Sequence, residues 1–362
     1  FFDESLKAIP GLRRVIKDRL GRVIEEIEEL REQKKGEPVH LSIDDRVQYA
    51  AYRALKTAVH RHAARAGSMV ILDVRTGEIL ALVNQPSFNP NDRKGLKLEN
   101  LRNRAVTDLF EPGSTVKPFT IAAALESTHY DTGSVIDTAP GSLKIGEHTI
   151  ADVENFGDLD LTNILVKSSN VGASKIALSM EPKLLWETFR SVGLGSSTDI
   201  ALPGEIIGRL KHYSYWRDIE HATQSFGYGL SVNAIQLARA YAVIANGGWL
   251  QKLSIEKLEV PIHRERVLKR DTTEKLLSML TRVVDSGTGT KGQVRGYSVA
   301  GKTGTVHKST SSGYASDRYV SLFAGIIPAT EPELVAIVVV DEPRRGEYFG
   351  GRVAAPVFAA AM

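Results

Sequence analysis

The stretch of the chain best suited to covalent chemistry is Phe110–Pro118, in which a serine is followed three residues later by a lysine. A Pro-Gly pair before the serine favours a turn, and Pro118 is tolerated in the first turn of a helix, where its missing N–H has no partner to lose. Because residues three apart share one face of a helix, we expect the Lys117 amine close to the Ser114 hydroxyl. That is a nucleophile beside a possible base.

A Ser-x-x-Lys motif on its own is weak support for an active site, because a capped helix is the commoner explanation. The chain contains its own counterexample, since Ser254–Lys257 has the same spacing and no other sign of chemistry. Support for Ser114 must therefore come from other motifs.

Two further motifs follow in a fixed order, Ser168–Asn170 in a loop between predicted helices and Lys302–Gly304 in a predicted strand. The S-x-N pattern is common by chance, since Ser87–Asn89 and Ser231–Asn233 match it too, whereas K-[ST]-G occurs once. Each motif alone is more often structural, as a helix cap or a solvated strand residue. The order S-x-x-K, S-x-N and K-T-G is the one required by a penicillin-recognising acyl-transfer site.

The composition excludes several other classes of function. The chain has 362 residues, 46 of them basic and 43 acidic, and no long block of one sign, so nothing indicates a nucleic-acid partner. It has no cysteine, which excludes disulfides, thiol nucleophiles and cysteine-ligated zinc, and no H-E-x-x-H pattern, so neither a metal nor a cofactor is predicted. It has neither a signal peptide nor an apolar run of the roughly 18 residues that a membrane span needs. Because it starts with Phe1 rather than Met, we expect a processed or engineered fragment.

Hydrophobic periodicity predicts the elements that would position these motifs. An amphipathic helix from Leu41 towards Gly67 precedes a hairpin, and the middle of the chain is helical with polar loops. The order of elements favours an α+β fold in which helices cover a five-stranded antiparallel sheet built from both ends of the domain. The predicted strands are Met69–Val74, Ile79–Val83, Tyr297–Thr305, Tyr319–Ile327 and Leu334–Asp341.

Two segments are predicted to lie outside this framework. Residues 1–38 are dense in mixed charge and too few to fold alone, and we expect a small hairpin followed by a charged connector, with a surface helix over Glu25–Lys34 as the competing interpretation. The polar stretch His307–Asp317 is predicted to be a flexible loop.

The three motifs and several longer runs give the chain a strong resemblance to the class B penicillin-binding proteins, over nearly its whole length from about Arg13. It is most similar to the division-specific (FtsI-type) branch of peptidoglycan D,D-transpeptidases, and Glu111 before Pro-Gly-Ser-Thr favours that branch over the elongation-specific one. The runs that carry the resemblance are Arg102–Ala105, Phe110–Pro118, Lys167–Gly172, Phe226–Ser231 and Tyr348–Gly351.

The resemblance implies a penicillin-binding transpeptidase or serine β-lactamase-like fold, with an antiparallel sheet flanked by helices and an all-helical subdomain. It implies that residues 1–38 are the remnant of an N-terminal non-catalytic pedestal module and linker, and that residues 39–362 form the transpeptidase domain. The family's membrane anchor and any glycosyltransferase domain are absent from this sequence. The expected location is the periplasmic face of the bacterial inner membrane.

The same resemblance implies a role for each motif residue. Ser114 attacks the carbonyl between the two D-Ala residues of a stem peptide, and Lys117 takes the Ser114 proton if its amine is neutral, which desolvation beside another cation would favour. Ser168 relays a proton to the departing amine, Lys302 holds the Ser168 hydroxyl, and Asn170 contacts Lys117 and the substrate amide.

Substrate binding is expected from the K-T-G strand and from aromatic side chains. The N–H groups of Ser114 and Thr305 would form the oxyanion hole, and Thr303 and Thr305 would hold the terminal carboxylate of a peptide or a β-lactam beside Gly304. Aromatic side chains would cover the site, with simple core packing as the alternative for each, namely Tyr228, Tyr348 and Phe349. His307 departs from the branch, which carries Arg or Lys at this position, so a fixed charge there becomes pH-dependent.

Other functions remain open at the level of sequence. The same motifs would serve an elongation-type transpeptidase, a serine β-lactamase or carboxypeptidase, or a β-lactam sensor domain. No E-x-x-L-N pattern positions a deacylating glutamate, which argues for slow hydrolysis and therefore for β-lactam inhibition. The implied partners are peptidoglycan stem peptides, β-lactams as covalent inhibitors, and membrane proteins of the divisome, including a glycosyltransferase.

Overall fold

The computed structural model describes residues 2–92, 94–200, 202–260, 264–310 and 313–362. The chain divides into two units. One contains the residues up to Leu41 together with residues 202 and 203, and the other contains Ser42–Ile200 and Gly204–Met362. The domain boundary predicted after residue 38 falls near the first of these divisions, and the origin of residues 1–38 in a pedestal module stays a prediction.

The first unit contains a short helix, α1 (Asp3–Leu6), and an antiparallel hairpin of β1 (Leu12–Lys17) and β2 (Val23–Arg31). The predicted hairpin is confirmed, but β2 runs through the acidic stretch that was expected to be a connector or a helix. Opposite charges face each other across the strands, as in the ion pair of 2.9 Å between Arg13 and Glu26, and such cross-strand pairs stabilise a sheet.

The second unit contains the remaining elements. Its helices are α2 (Asp45–Arg61), α3 (Arg104–Thr107), α4 (Lys117–Glu126), α5 (Leu161–Lys167), α6 (Asn170–Leu178), α7 (Pro182–Ser191), α8 (Asp218–Gln224), α9 (Ala234–Ala245), α10 (Arg270–Ser286), α11 (Gly350–Val353) and α12 (Ala355–Ala361). Its strands are β3 (Ala66–Asp73), β4 (Ile79–Gln85), β5 (Val135–Asp137), β6 (Ser142–Ile145), β7 (His148–Ala151), β8 (Asp158–Asp160), β9 (Trp249–Gln251), β10 (Arg264–Arg266), β11 (Ala300–Thr310), β12 (Gly313–Ile327) and β13 (Leu334–Asp341).

The predicted five-stranded antiparallel sheet is confirmed, with strand order β11-β12-β13-β3-β4. On one face the strands pack against α2 and α12 around buried residues such as Leu55, Phe323 and Phe358, and the two phenylalanine rings lie 5.1 Å apart. Burial of this apolar face supplies the main driving force for folding. The sheet order leaves β11, which carries Lys302–Gly304, at an edge.

The helix α9 supports the sheet and contacts β13 and β3. All of its residues are buried, as its almost continuous apolar sequence predicts. Its Tyr241 hydroxyl donates a hydrogen bond of 2.7 Å to the carbonyl oxygen of Thr115. The core of the domain is therefore tied directly to the turn that carries Ser114.

Two expectations from the sequence need correction. The middle of the chain is not entirely helical, because β5 pairs with β8, β6 with β7 and β9 with β10; strands of three or four residues are too short to leave a clear periodic pattern. The stretch His307–Asp317 is not a loop, because β11 continues to Thr310 and β12 begins at Gly313, with residues 311 and 312 outside the described part. Its polar side chains suit an edge hairpin that has little apolar surface to bury.

Within the described ranges, no helix combines the length and the hydrophobicity that crossing a bilayer requires. Those same ranges contain no group of three or more His, Asp or Glu side chains placed to hold a metal ion.

Candidate active site

The turn that carries Ser114 is built by a glycine in a backbone conformation that other residues rarely adopt. Gly113 has a φ of +52°, and a Cβ there would lie 2.2 Å from Cγ1 of Val306 in β11. A single 3₁₀ turn, Gly113–Val116, then leads into α4, which begins at Lys117. The serine and the lysine therefore lie on consecutive helical turns, as predicted.

The second motif lies where α5 ends and α6 begins. Ser168 caps α5 in the left-handed conformation, with φ of 59° and ψ of 39°, and Ser169 caps α6 by accepting a hydrogen bond of 2.8 Å from the Gly172 N–H. This sharp reversal turns the Ser168 carbonyl, the Ser168 hydroxyl and the Asn170 side chain towards Lys117.

Asp152 fixes this reversal, and sequence reasoning missed it. Its carboxylate accepts hydrogen bonds from the Ser169 hydroxyl and from the backbone N–H groups of Asn170 and Val171, the last at 3.1 Å. A carboxylate at the start of a helix is also favoured by the helix dipole. Because its contacts lie 17 to 19 residues away, no local pattern could have identified it.

The third motif lies on the edge strand β11, where alternate N–H and C=O groups face away from β12. A Cβ at Gly304 would lie 3.1 Å from the carbonyl oxygen of Pro112 and 3.0 Å from Cγ2 of Thr115. The glycine therefore leaves room for the backbone of the nucleophile turn to approach, and it brings β11 against the segment that carries Ser114. Its predicted part in substrate binding stays a prediction.

The two lysines meet at one hydroxyl. The Lys117 Nζ donates to the carbonyl oxygen of Ser168, to Oδ1 of Asn170 at 2.8 Å and to Oγ of Ser168 at 3.3 Å. The Lys302 Nζ donates to the same Oγ at 2.9 Å and to the carbonyl oxygen of Thr303 at 3.3 Å. In the described part of the chain, the Ser114 hydroxyl makes no hydrogen bond to Lys117, which fits a site whose catalytic contacts tighten only when substrate binds.

Both lysines are completely buried, and burial disfavours the charged form of an amine. Burial lowers the pKa of Lys302 to about 7. The pKa of Lys117 lies well below its usual value because of burial and then because of the positive charge of Lys302, while Asp152 acts in the opposite direction. A neutral amine has two N–H donors and one lone pair, so with Ser168 O and Asn170 Oδ1 as acceptors, Lys117 can direct its lone pair at a hydroxyl.

These side chains open onto a cavity of about 570 Å³. It is lined by six of the residues predicted for the site, Ser114, Ser168, Asn170, Thr303, Thr305 and Phe349. Lys117 and Lys302 lie behind Ser168, because both bond to it. The arrangement offers a half-buried nucleophile in the cavity lining, a buried amine pair that can take up a proton, and threonine hydroxyls in the same lining.

Two predicted aromatic residues are not in the cavity lining. Tyr228 packs edge-on against Tyr314, with ring centroids 5.5 Å apart, and Tyr348 stacks on Tyr319 at 4.1 Å. His307 lies beside Tyr319 and bonds through Nδ1 to the carbonyl oxygen of Ala315 at 2.9 Å, so it does not line the cavity either.

Glu111, the residue before the Pro-Gly-Ser turn, joins that turn to two neighbouring segments. Its Oε1 accepts hydrogen bonds from the Gly229 N–H at 2.8 Å and from the Tyr314 hydroxyl at 2.9 Å. Burial raises the pKa of this carboxyl, although both hydrogen bonds act against the rise. Glu111 therefore holds the outer end of the β11–β12 hairpin against the segment that carries Ser114.

Cations that sequence reasoning did not select also line the cavity, namely Lys167, Lys291 and Arg352, whereas Asp152 is the single acidic residue among the lining side chains described. They are brought there by long-range packing. A Cβ at Gly351 would lie 2.3 Å from the carbonyl oxygen of Thr288, so the glycine allows the segment that carries Arg352 to lie directly against the segment that leads to Lys291.

The second Ser-x-x-Lys motif, Ser254–Lys257, is a decoy motif whose side chains bind other residues. The Ser254 hydroxyl donates to the carbonyl oxygen of Glu256 at 2.8 Å, and Lys257 lies 3.5 Å from the Glu78 carboxylate. Its serine and lysine therefore have separate structural partners, unlike Ser114 and Lys117, whose surroundings meet at Ser168.

Comparison with known proteins gives one consistent result. Residues 67–362 match the sequence profile of the penicillin binding protein transpeptidase domain. The peptidoglycan D,D-transpeptidase FtsI of Escherichia coli K12 is 44% identical over 362 residues, which is all of this chain and 61% of that protein. The chain therefore spans about three fifths of the length of this relative.

For two further relatives, this chain matches a larger share of the other protein's length. The probable peptidoglycan D,D-transpeptidase PenA of Neisseria flavescens is 41% identical over 99% of this chain and 90% of that protein. The solved transpeptidase (TP) domain of penicillin-binding protein 3 from Burkholderia pseudomallei is 41% identical, with a TM-score of 0.82 over 89% of this chain and 94% of its own.

Proposed function

Because this chain belongs to the penicillin-binding protein transpeptidase family, we propose that it is a peptidoglycan D,D-transpeptidase that cross-links stem peptides through an acyl-enzyme on Ser114. The observation that carries the proposal is the Ser168 hydroxyl, which lies between two buried lysines at the wall of the cavity that Ser114 lines. The 44% identity to an FtsI transpeptidase favours the division septum as its place of action.

In the acylation step, Ser114 Oγ attacks the carbonyl carbon of the bond between the two D-Ala residues while neutral Lys117 accepts its proton. The negative oxygen that forms is stabilised by the N–H groups of Ser114 and Thr305, each such donor contributing about 3 kcal/mol in comparable sites. The C–N bond then breaks, and a proton passes through Ser168 to the departing amine. Lys302 holds the Ser168 hydroxyl during this transfer.

In the second step, an acceptor amine attacks the ester carbonyl of the acyl-enzyme. The new C–N bond forms as the C–O bond to Ser114 breaks, and the amine proton returns to Ser114 through the lysine pair. Asn170 keeps Lys117 in position throughout, because its Oδ1 accepts one of the two N–H bonds of the neutral amine.

Substrate is held by Thr303, Thr305 and Phe349, which line the cavity. The Thr303 hydroxyl is bonded to the Thr288 hydroxyl at 2.8 Å, and the Thr305 hydroxyl accepts a bond of 2.8 Å from the Gly350 N–H, so both have fixed positions. Tyr348 acts through Phe349, whose ring lies 4.5 Å away, and Tyr228 acts through the outer part of the hairpin.

The setting of the enzyme belongs to the same proposal. Residues 1–38 are the end of a pedestal module, and the domain works at the periplasmic face of the inner membrane, where peptidoglycan is made. Its partners are stem peptides, divisome membrane proteins and a glycosyltransferase that supplies glycan chains. β-Lactams acylate Ser114 in place of the peptide and inhibit the enzyme.

The test is the intact mass of the protein after exposure to labelled benzylpenicillin, followed over hours. We expect one adduct on Ser114 that persists, no adduct on Ser114→Ala, and an unchanged adduct on Ser254→Ala, which removes the serine of the decoy motif. An adduct on Ser114→Ala would refute the proposal. Loss of the wild-type adduct within minutes would favour a serine β-lactamase instead.

A further inference from the structure

Two of the cations that line the cavity have no counter-charge. Lys291 and Arg352 form no ion pair and no side-chain hydrogen bond with any described residue, although their side chains are exposed to the cavity. Lys167 differs, because its ammonium lies 5.7 Å from the centre of the Phe156 ring. The carboxylate of Asp152 is already engaged by three donors. The cavity wall therefore carries an excess of positive charge, which favours binding of an anion.

The position of these cations indicates which part of a substrate they meet. Lys291 follows Thr288 by three residues. Arg352 follows Gly351, where a Cβ would lie 2.3 Å from the Thr288 carbonyl oxygen and 3.5 Å from Cγ2 of Thr303. Thr288 and Thr303 are joined by the hydrogen bond of 2.8 Å between their hydroxyls. Both cations thus line the same cavity as the hydroxyl pair beside which the terminal carboxylate of the peptide is expected. His307 does not line this cavity.

We propose that Lys291 and Arg352 form a carboxylate subsite that selects the acyl acceptor, so that the preferred acceptor is an amine whose neighbouring carbon carries a carboxylate. This inference rests on the proposed transpeptidase function. The departing D-Ala has such an amine and carboxylate on one carbon. The acceptor amine approaches the acyl-enzyme along the path by which the D-Ala amine left. A cation placed to bind the carboxylate of the departing D-Ala can therefore also bind the carboxylate of the acceptor.

The chemistry of the two side chains fits this task. A guanidinium binds a carboxylate through two parallel N–H bonds, while an ammonium adds a compact charge without fixing direction. An acceptor amine without a neighbouring carboxylate would leave both cations without an anionic partner. One charge-assisted hydrogen bond changes a rate or a binding constant by about tenfold or more, so the discrimination is measurable.

The experiment compares two acceptors that differ at one group, D-alanine and D-alaninamide. The donor is an N-acyl-D-alanine ethyl thioester, whose leaving thiol is uncharged, so donor binding does not use the subsite. The new C–N bond forms as the Ser114 ester breaks, and mass spectrometry gives the amount of each product. The two amines differ in basicity, and the quantity compared between proteins is therefore the ratio of D-alanine to D-alaninamide products.

We expect this ratio to fall by about tenfold in Arg352→Met and in Lys291→Met. In Arg352→Lys it should recover only in part, because the ammonium keeps the charge but not the two parallel N–H bonds. The control Lys167→Met removes a cation of the same cavity and should leave the ratio within about twofold of wild type. Added salt should lower the ratio in wild type but not in the double variant. Arg352 and Lys291 are exposed, so these substitutions leave the core intact.

Two results would overturn the inference. One is a ratio unaffected by either substitution, and the other is an equal fall in Lys167→Met, which would mean that the effect comes from general charge. A failure of the proposed function looks different, because the wild-type protein would then form no acyl-enzyme with the thioester or with penicillin.

Discussion

Two lysines on the same edge strand, Lys302 and Lys308, have opposite surroundings. Lys302 is completely buried, and it donates to a hydroxyl and a carbonyl, neither of which carries a charge. Lys308 donates to both carboxylate oxygens of Asp341, at 2.7 and 2.9 Å, and to Glu342 at 2.7 Å. Among the residues that the structure describes, Lys302 therefore has no carboxylate partner, whereas Lys308 on the same strand has two.

In this fold, the charge used for proton transfer and the charges that stabilise the folded state therefore lie at separate positions. A buried charge without a partner is costly, and the cost appears as a pKa for Lys302 of about 7, within the range where proton transfer is useful. The charges around Lys308 are paired, and pairing of a buried carboxylate such as Glu342 stabilises the folded state. We expect substitutions at the two lysines to affect different quantities.

The largest expected effect is on acylation. The Lys302 ammonium holds Ser168, and its charge lowers the pKa of Lys117. Because Lys302→Met removes both effects, the rate constant for acylation by labelled penicillin should fall about hundredfold or more. Lys308→Met should leave that rate within about threefold of wild type, because Lys308 contacts none of the reacting groups.

For the free energy of unfolding, we expect the opposite order, with the larger effect at Lys308. Lys308→Met should lower the free energy of unfolding by about 1–3 kcal/mol because two carboxylates lose their ammonium, whereas Lys302→Met should leave it unchanged or raise it. The separate roles of the two lysines would be contradicted if both variants lose acylation to the same extent, or if Lys302→Met is the less stable of the two.

The next effect is the pH dependence of acylation, which should be bell-shaped. Below the lowered pKa of Lys117 its amine gains a proton and ceases to act as a base, and above about pH 7 Lys302 loses the charge that acts on Ser168 and Lys117. Each limb should change the rate by about tenfold per pH unit. In Lys302→Arg the alkaline limb should disappear, because a guanidinium stays charged. A wild-type rate that is constant from pH 7 to pH 9 would contradict this assignment.

A smaller effect is expected for the paired cluster. Burial by itself would raise the pKa of Glu342, but hydrogen bonds from Lys308, Arg344 and Arg65 outweigh it and lower that pKa to about 2. The carboxylate therefore contributes stability that is present above its unfolded value of 4.5 and is lost as the pH falls through about 2. Glu342→Gln should cost about 1–3 kcal/mol at pH 7, measured by urea unfolding, and progressively less towards acid pH. A cost that does not depend on pH would point to packing rather than to charge.

The smallest effect is expected for the exposed partner of that cluster. Arg344 lies 3.1 Å from Glu342, but its side chain is 63% exposed. Arg344→Met should therefore change the free energy of unfolding by less than about 1 kcal/mol, and added salt should remove the difference. A larger loss in thermal unfolding would show that exposure does not weaken this pair.

The parts of the site that sequence reasoning identified depend on short distances along the chain. The spacing of Ser114 and Lys117 follows from helical geometry, and the S-x-N and K-T-G motifs lie at a helix end and on a strand, where local patterns are informative. Most of the five main strands were found for the same reason, because they contain apolar runs long enough to recognise. The order of elements along the chain indicated an antiparallel sheet covered by helices, but it did not give the pairing order of the strands.

The parts that were missed depend on contacts between distant segments. Asp152, Lys291 and Arg352 reach the cavity because loops and glycines bring remote backbone together, and nothing in their neighbouring residues records this. The ring of Tyr228 was expected over the site, but whether a ring faces a cavity or another ring is decided by packing. The polar residues of the β11–β12 hairpin look like a loop because an edge strand buries little.

The close approach of backbone segments around Ser114 limits which substitutions this part of the site can accept. A Cβ at Gly227 would lie 2.1 Å from the carbonyl oxygen of Gly113, and a Cβ at Gly350 would lie 2.2 Å from that of Gly304. Main-chain atoms cannot be moved aside as side chains can, so no larger residue fits at these positions. If β-lactams acylate Ser114 as proposed, we expect substitutions that weaken their binding further out, at cavity-lining residues such as Phe349 or Arg352, where a change leaves the reacting atoms in place.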